Sequence, residues 1–262
     1  LHLGAPSFGG DDVDANRSAA PMLRRAFSIA GLRRLSDDAS EMDIIYRVVG
    51  PATRWMASLG AGDSVSVMGP LGNAFPIIPS KPRAWLVAGG VGLPPMLWLA
   101  EALGAADKQS VAFVGARSAD LLALSIDEPD RLAADAGCAA LVASEFSEND
   151  VPVVVSTDDG SLGFRGHIGD AMSAFHERAS VAADELVVYT CGPEPMIKAV
   201  ADFCSEQSIE CYVCMERAMA CGTGTCQSCV VTVEDESAVD GWRYELCCAQ
   251  GPVFDAKRVV WS

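Results

Sequence analysis

The sequence predicts an α+β multidomain protein in three parts: a first third of short β-rich runs, a doubly wound parallel α/β domain, and a small cysteine-bearing C-terminal segment. Three observations carry this. Between Ala84 and Gln207, apolar runs alternate with helical stretches, the pattern of a parallel sheet covered by helices. Between Leu23 and Phe75 the β-rich runs are short and broken by turn residues such as Gly50-Pro51 and Gly69-Pro70. Cys221, Cys226 and Cys229 follow one another with four and then two residues between them.

Composition bounds the function. The chain has 262 residues, half of them hydrophobic, enough for one large or two ordinary cores. A formal charge of -16 argues against nucleic acid, which wants a basic patch, and against an anionic membrane surface. The longest uncharged apolar run, Ala84 to Ala100, is broken by glycines and by Pro94-Pro95, so it reads as strand, loop and helix rather than a membrane span. No signal-peptide pattern is visible at the N-terminus. Ten cysteines could mark a secreted disulfide scaffold, but the chain is too long for that class. With four of them read as metal ligands, a reducing, cytoplasmic protein is expected.

Leu1-His2-Leu3 reads as the end of a strand, and Ser7 to Ala20 as a polar loop. Arg25-Ala26-Phe27-Ser28 then forms R-x-F-S. In a strand, Arg25 and Phe27 share one face and Ser28 takes the other. An arginine can grip a pyrophosphate through charge-assisted bonds, an aromatic can lie along a flavin, and a hydroxyl can bond its ring. Taken alone the motif is weak, and an ordinary strand is the simpler reading of these four residues. Asp43 to Val49 is a second β-rich run holding Ile45, Tyr46 and Arg47. Gly50 to Thr53 opens a short helix, Arg54 to Leu59. There Ala52 and Thr53 stand near a helix N-terminus, where unbonded N–H groups favour a phosphate. Val65 to Met68 is a strand, followed by Gly69-Pro70-Leu71-Gly72-Asn73-Ala74-Phe75.

A proline-rich linker, Pro76 to Arg83, marks a domain boundary. Ala84 to Ala88 reads as a buried strand. Gly89-Gly90-Val91-Gly92-Leu93-Pro94-Pro95 leads from it into a helix, with glycines that allow close approach to a nucleotide and prolines suited to a first helical turn. Strands are expected at Ser110–Gly115, Ala139–Ala143, Val151–Ser156 and Glu185–Tyr189, and helices at Ile168–Ala179 and Pro193–Gln207. Thr157-Asp158-Asp159-Gly160-Ser161 and Cys191-Gly192-Pro193-Glu194-Pro195-Met196 end strands at the C-terminal edge, where open α/β sheets bind ligands. Arg117 is a candidate for a nicotinamide cofactor's ribose or phosphate, and equally a solvated loop arginine. It does not separate NAD from NADP.

The C-x4-C-x2-C spacing is that of three of the four ligands of a plant-type [2Fe–2S] cluster. Zinc sites favour C-x2-4-C pairs and fit it poorly. The fourth ligand comes from Cys247 or Cys248, and in an extended segment only one of these neighbours faces the cluster. Cys211 and Cys214 form a C-x2-C, but on a strand they face opposite sides, so they are expected to be buried thiols, as are Cys138 and Cys204. His2, His167 and His176 have no partner pattern and receive no catalytic role.

Taken in order, R-x-F-S, Tyr46-Arg47-Val48-Val49-Gly50, G-P-L-G-N-x-F, the Gly89–Pro95 turn, T-D-D-G-S, C-G-P-x-x-M, the cysteine loop and Gly251-Pro252-Val253-Phe254 are similar to the electron-transfer subunit of dihydroorotate dehydrogenase B. The likeness runs from about Arg24 to Asp255. It implies an antiparallel β-barrel flavin domain at 1–78, with one more strand before Leu1, a NAD-binding α/β domain at 81–214, and a [2Fe–2S] segment at 215–262. It implies FAD on Arg25 to Ser28, Ile45 to Arg47 and Ala52-Thr53, with Gly72 and Asn73 placed beside them. Gly89, Gly90, Gly92, Arg117, Cys191, Gly192 and Pro193 fall to the nicotinamide cofactor, and the likeness favours NAD. The family's fourth cluster cysteine lies three residues before G-P-V-F, which implies Cys248. The implied partner is an FMN-containing dihydroorotate dehydrogenase catalytic subunit, in a heterotetramer. A reductase subunit of the same build serving a hydrogenase or a ferredoxin:NADP oxidoreductase is the alternative, and a non-catalytic redox sensor is a third reading.

Overall fold

The computed structural model describes residues 2–4, 24–126 and 142–261, with residues 2–4 described by their backbone alone. Its centre is a seven-stranded sheet: β6 (Arg83–Gly89), β7 (Gln109–Ala116), β8 (Val153–Thr157), β9 (Phe164–Arg165), β10 (Leu186–Cys191), β11 (Glu210–Cys214) and β14 (Val253–Asp255). The order is β14-β11-β10-β6-β7-β8-β9, parallel throughout except for β14. All six residues of β10 are buried, as are Ala84 to Gly89 of β6. Strands covered on both faces need such continuous apolar runs.

One face is covered by α2 (Leu93–Ala105), which seats Leu93, Met96 and Leu103 against Leu86, Ala112 and Tyr189. The other is covered by α4 (Ile168–Ala179) and α5 (Glu194–Glu206). Helix α5 buries Ile197, Val200, Ala201 and Cys204, the i, i+3, i+4, i+7 stripe of a half-buried helix. Trp85, 2% exposed, is the keystone of this face, with ring centroids 5.1 Å from Phe113 and 5.6 Å from Phe175. His176 stands edge-on to Trp85 and Phe203, a place in the aromatic core rather than in a site. A further short helix, α3 (Ser144–Ser147), is one turn that buries Phe146.

The C-terminal residues share this core. The hairpin of β12 (Val230–Glu234) and β13 (Trp242–Leu246) sends Val231, Val233 and Leu246 into the same apolar cluster as Trp85 and Val213. Strand β14 then pairs antiparallel with β11. The cysteine-bearing stretch is thus held between two pieces that both belong to the large sheet's body.

The first third differs from expectation. Among the described residues it holds a three-stranded antiparallel sheet, β2 (Arg25–Ala26), β1 (His2–Gly4) and β5 (Ser66–Met68), and a hairpin of β3 (Gly31–Arg34) with β4 (Ser40–Asp43). A closed barrel is not seen among them. The run Asp43 to Val49 is not a strand: its partner ends at the Gly31–Asp43 pair, and residues 44–49 continue without a ladder. Their β-branched residues favour extension, but extension becomes a strand only beside a partner. Helix α1 (Pro51–Ala57) starts three residues earlier than expected, because Pro51 is tolerated in a first turn. The expected loop Ser7–Ala20, Cys138 and most of the expected strand Ala139–Ala143 lie outside the described residues. Ala143 itself bridges to Ile126.

Several hydrogen bonds tie this third and the linker after it to the sheet. The Tyr189 hydroxyl donates to the Pro76 carbonyl at 2.7 Å, and Lys108 reaches the Pro79 carbonyl at 2.8 Å. Burial holds the Tyr189 phenol well above its ordinary pKa, so it stays a donor.

Candidate functional site

The strand order reverses between β6 and β10. In such sheets the crevice at the carboxyl ends of those two strands binds ligands. The Gly89–Gly92 turn follows β6 there, and Gly192-Pro193 follows β10, so the topology brings together two motifs a hundred residues apart. Gly92 is needed for closeness: a Cβ on it would overlap the Cys191 carbonyl. Arg117, just past β7, is exposed in the same crevice.

This crevice opens into one cleft of about 1830 Å³ that also takes in the first third and the cysteine segment. That exceeds the range of roughly 300–1,000 Å³ typical of a pocket for one drug-sized ligand. Arg25, Ala26, Phe27 and Ser28 line it, as do Ile45, Tyr46, Arg47, Ala52 and Thr53. Phe27 and Tyr46 meet edge to face at 6.2 Å, which joins the two stretches into one aromatic wall. Freed from a ladder, Ile45 and Tyr46 are half-buried along the cleft.

The Thr53 hydroxyl accepts from the N–H groups of Val49 (2.9 Å) and Gly50 (3.0 Å). It therefore shapes the turn into α1 and is spent there. The N–H of Arg54 is the first in α1 to reach a carbonyl, that of Gly50. A phosphate at this end would meet the backbone N–H groups of Ala52 and Thr53.

Gly72 and Asn73 stand at the rim of the cleft, and the Asn73 side-chain amide is engaged within the protein. It donates to the carbonyls of Gln250 (2.9 Å) and Val253 (2.8 Å), and its oxygen accepts from the Val253 N–H (2.9 Å).

The cysteine loop is shaped for thiolates. Gly222 and Gly224 hold φ of +74° and +85°. The N–H groups of Cys226 and Thr223 both point at Cys221 Sγ at 3.4 Å, and bring that thiol down to about 6. Cys226 is also lowered, chiefly by the Ser228 hydroxyl 3.1 Å away. The Cys248 N–H points at Cys229 Sγ at 3.4 Å, and the Cys248 thiol is pushed up to about 11, first by burial. Backbone N–H groups thus link Cys226 to the Cys221 thiol and Cys248 to the Cys229 thiol. Among the described residues no three His, Cys, Asp or Glu side chains converge on a single-ion site. A two-iron cluster takes its protein ligands around a larger body, and the donor set present, four thiols and inward N–H groups, is the chemistry such a cluster uses.

Cys247 points elsewhere: its Sγ donates to the Met215 carbonyl at 3.0 Å, and burial pushes it up to about 12. Cys204, Cys211 and Cys214 are buried free thiols, as the strand argument expects, with Cys211 against Cys204 and Cys214 against Cys191.

Sequence reasoning missed several cleft residues. Arg217 bonds Glu194, the first residue of α5, at 2.8 and 3.2 Å and ties the cysteine segment to the nucleotide edge. His167 pairs with Asp158 at 3.2 Å, also on the cleft. Glu194 lies in the motif already singled out, but nothing in the spacing points from it to Arg217.

A parallel sheet with its crevice at the switch point, opening onto a loop of thiols, defines a flavin- and iron–sulfur-dependent oxidoreductase subunit linked to NAD. Residues 86–202 match an oxidoreductase NAD-binding domain, and residues 216–260 match the iron-sulfur cluster binding domain of dihydroorotate dehydrogenase B. The chain is 35% identical over 250 residues to the dihydroorotate dehydrogenase B (NAD(+)) electron transfer subunit of Geobacillus kaustophilus, covering 95% of this chain and 84% of that one. It is 31% identical over 242 residues to the subunit of the same name from Desulforamulus reducens, covering 92% and 82%. The chain belongs to the family of dihydroorotate dehydrogenase B electron transfer subunits. Among solved structures, an NADH-dependent reduced ferredoxin-NADP oxidoreductase, described for flavin-based electron bifurcation, superposes with a TM-score of 0.72 at 25% identity, covering 99% of this chain and 78% of that one. A ferredoxin reductase of carbazole 1,9a-dioxygenase shares the fold, with a TM-score of 0.54 at 20% identity over 79% of this chain and 55% of that one.

Proposed function

We propose that this chain carries electrons between NAD, FAD and a [2Fe–2S] cluster, and links NAD to a dihydroorotate-oxidising subunit that holds FMN. The observation that carries this reading is the single cleft with walls from all three parts of the chain. We assign FAD to Arg25–Ser28, Ile45–Arg47 and Ala52-Thr53, in a barrel-like first domain of about 1–78. We assign NAD to Gly89, Gly90, Gly92, Arg117 and Cys191–Pro193, in a domain of about 81–214. The cluster falls to Cys221, Cys226, Cys229 and Cys248, in the segment 215–262.

Flavin exchanges electron pairs with nicotinamide and single electrons with an iron–sulfur cluster, which is the cofactor's own chemistry. The residues supply position and tuning. The Phe27 and Tyr46 rings offer apolar contact along the cleft, and the first-turn N–H groups of α1 offer an anion seat. Gly92 leaves room at the sheet edge. The N–H groups of Thr223, Cys226 and Cys248 stabilise negative charge on sulfur, a lever on cluster potential. No acid or base is required for a hydride step, and none is assigned.

A heterotetramer with the FMN subunit and a cytoplasmic setting complete the proposal. The described cysteines are all free thiols, in keeping with a reducing compartment. No helix among the described residues is long and apolar enough to cross a membrane. The similarity to the ferredoxin-NADP oxidoreductase supports a second reading, a reductase with a ferredoxin-like partner.

One experiment separates these. The purified chain is assayed for flavin, iron and NADH-driven reduction of an artificial acceptor, with and without a candidate FMN subunit. Bound flavin and iron, with dihydroorotate-driven NAD reduction only when that subunit is added, is expected. Coupling to a ferredoxin instead would select the second reading. Absence of flavin or of a reducible iron–sulfur signal would remove both.

A further inference from the structure

We propose that Asn73, with Gly72, is a latch that fixes the cysteine-bearing turn 246–251 to the flavin side of the molecule and so sets the span between flavin and cluster. The proposal rests on the cofactor assignments above and adds a positioning residue to them.

The turn is internally closed. Gln250 Oε1 accepts from the Leu246 N–H at 2.8 Å, and the N–H groups of Gln250 and Gly251 both return to the Leu246 carbonyl, at 2.9 and 3.1 Å. Cys248 sits in the middle of this unit, its N–H on Cys229 Sγ. At the exit of the turn stand the carbonyls of Gln250 and Gly251 and, where β14 begins, the carbonyl and N–H of Val253. All four are taken by one residue: the Asn73 N–H donates to Gly251 O at 2.7 Å, and the Asn73 side chain makes the other three bonds.

The partners lie 177 and 180 residues apart in sequence, so this is a joint between parts. The residue type is specific to the task. Two donors and an acceptor on one short side chain are what an amide supplies. Aspartate would keep the bond from Val253 but place a carboxylate against two carbonyl oxygens. Gly72 completes the fit: at φ +72°, a Cβ would lie 2.6 Å from Gly251 O and 2.8 Å from Pro252 Cδ. Any side chain at residue 72 pushes the turn away. Asn73 is itself exposed, so replacing it opens no cavity and leaves the large sheet's core intact.

The test uses the full chain loaded with both cofactors, as wild type, Asn73→Ala, Asn73→Asp and Gly72→Ala. Amide hydrogen exchange reads the latch without reference to activity. Exchange at residues 246–253 is expected to accelerate about tenfold in Asn73→Ala, the loss of one or two net hydrogen bonds, with Asn73→Asp and Gly72→Ala moving the same way. In stopped flow, the ratio of NADH-driven cluster bleaching to flavin reduction is expected to fall in all three variants. Unchanged exchange at 246–253 overturns the proposal. So does loss of flavin with both rates falling together, which would make Asn73 a flavin ligand. If wild type shows no NADH-driven cluster bleaching, the cofactor assignment fails while the exchange data still judge the latch.

Discussion

The sheet that carries Trp85 and the first third that carries Phe27 are built on opposite terms. In the sheet, β6 and β10 are buried along almost their whole length. Among the described residues from 24 to 78, only Ala30 and Ala52 are fully buried, at 8% each. The sheet holds itself together by its own apolar contacts. In the described part of the first third, Phe27, Ile45 and Tyr46 line the cleft half-covered, and Leu35 and Val67 stand exposed. A region that lines a ligand site must leave its apolar surface unspent until the ligand arrives, whereas a scaffold must spend it on folding.

The contrast can be broken by paired substitutions. The largest effect belongs to Trp85→Ala, which empties the aromatic cluster around Phe113 and Phe175. A loss of about 3–5 kcal/mol in unfolding free energy is expected by denaturant melt. Gly92→Ala forces a methyl against the Cys191 carbonyl and should cost about 1–3 kcal/mol, read the same way, together with a weaker NADH titration. Phe27→Ala should lower stability by only about 1 kcal/mol, since its ring is half-buried, yet reduce flavin retained on purification. If Phe27→Ala destabilised the chain as much as Trp85→Ala, the contrast would be wrong.

The smallest effect is a difference in reactivity within the cysteine segment. In cluster-free protein Cys221, held to about 6 by two N–H groups, is a thiolate at neutral pH. A lowered pKa means that the charged form is lost only on acidification, so its alkylation should slow below about pH 6. Cys247, pushed up to about 12 by burial, should label only as the solution becomes strongly alkaline. Mass spectrometry of alkylated peptides across pH checks both. Equal labelling of the two at neutral pH would show that they share an environment.

The same division explains what the sequence disclosed. Helix α4 was legible to the residue from its amphipathic pattern, and β7, β8 and β10 nearly so, because burial of a strand on both faces writes itself as an unbroken apolar run. Residues 44–49 looked like a strand because β-branched side chains record a preference for extension but not the presence of a partner. The cleft-lining stretches could be named because each is local, a few consecutive residues. The Asn73 joint could not, since an asparagine after a glycine carries no mark of a partner 180 residues away. Arg217 with Glu194 is invisible for the same reason. Choosing Cys248 over Cys247 needed a resemblance, since two adjacent cysteines carry no mark of which way each points; the Cys247 thiol bonds the Met215 carbonyl.

Strand β14 has one more consequence. Without it, β11 would present a bare row of N–H and C=O groups, with Tyr212, Val213 and Cys214 as a template for another chain. The residues that follow Cys248 therefore also act as a selvedge, finishing the fabric so that it does not catch on its neighbours. A chain cut before Val253 should self-associate in proportion to its concentration, even with every cysteine of the loop in place.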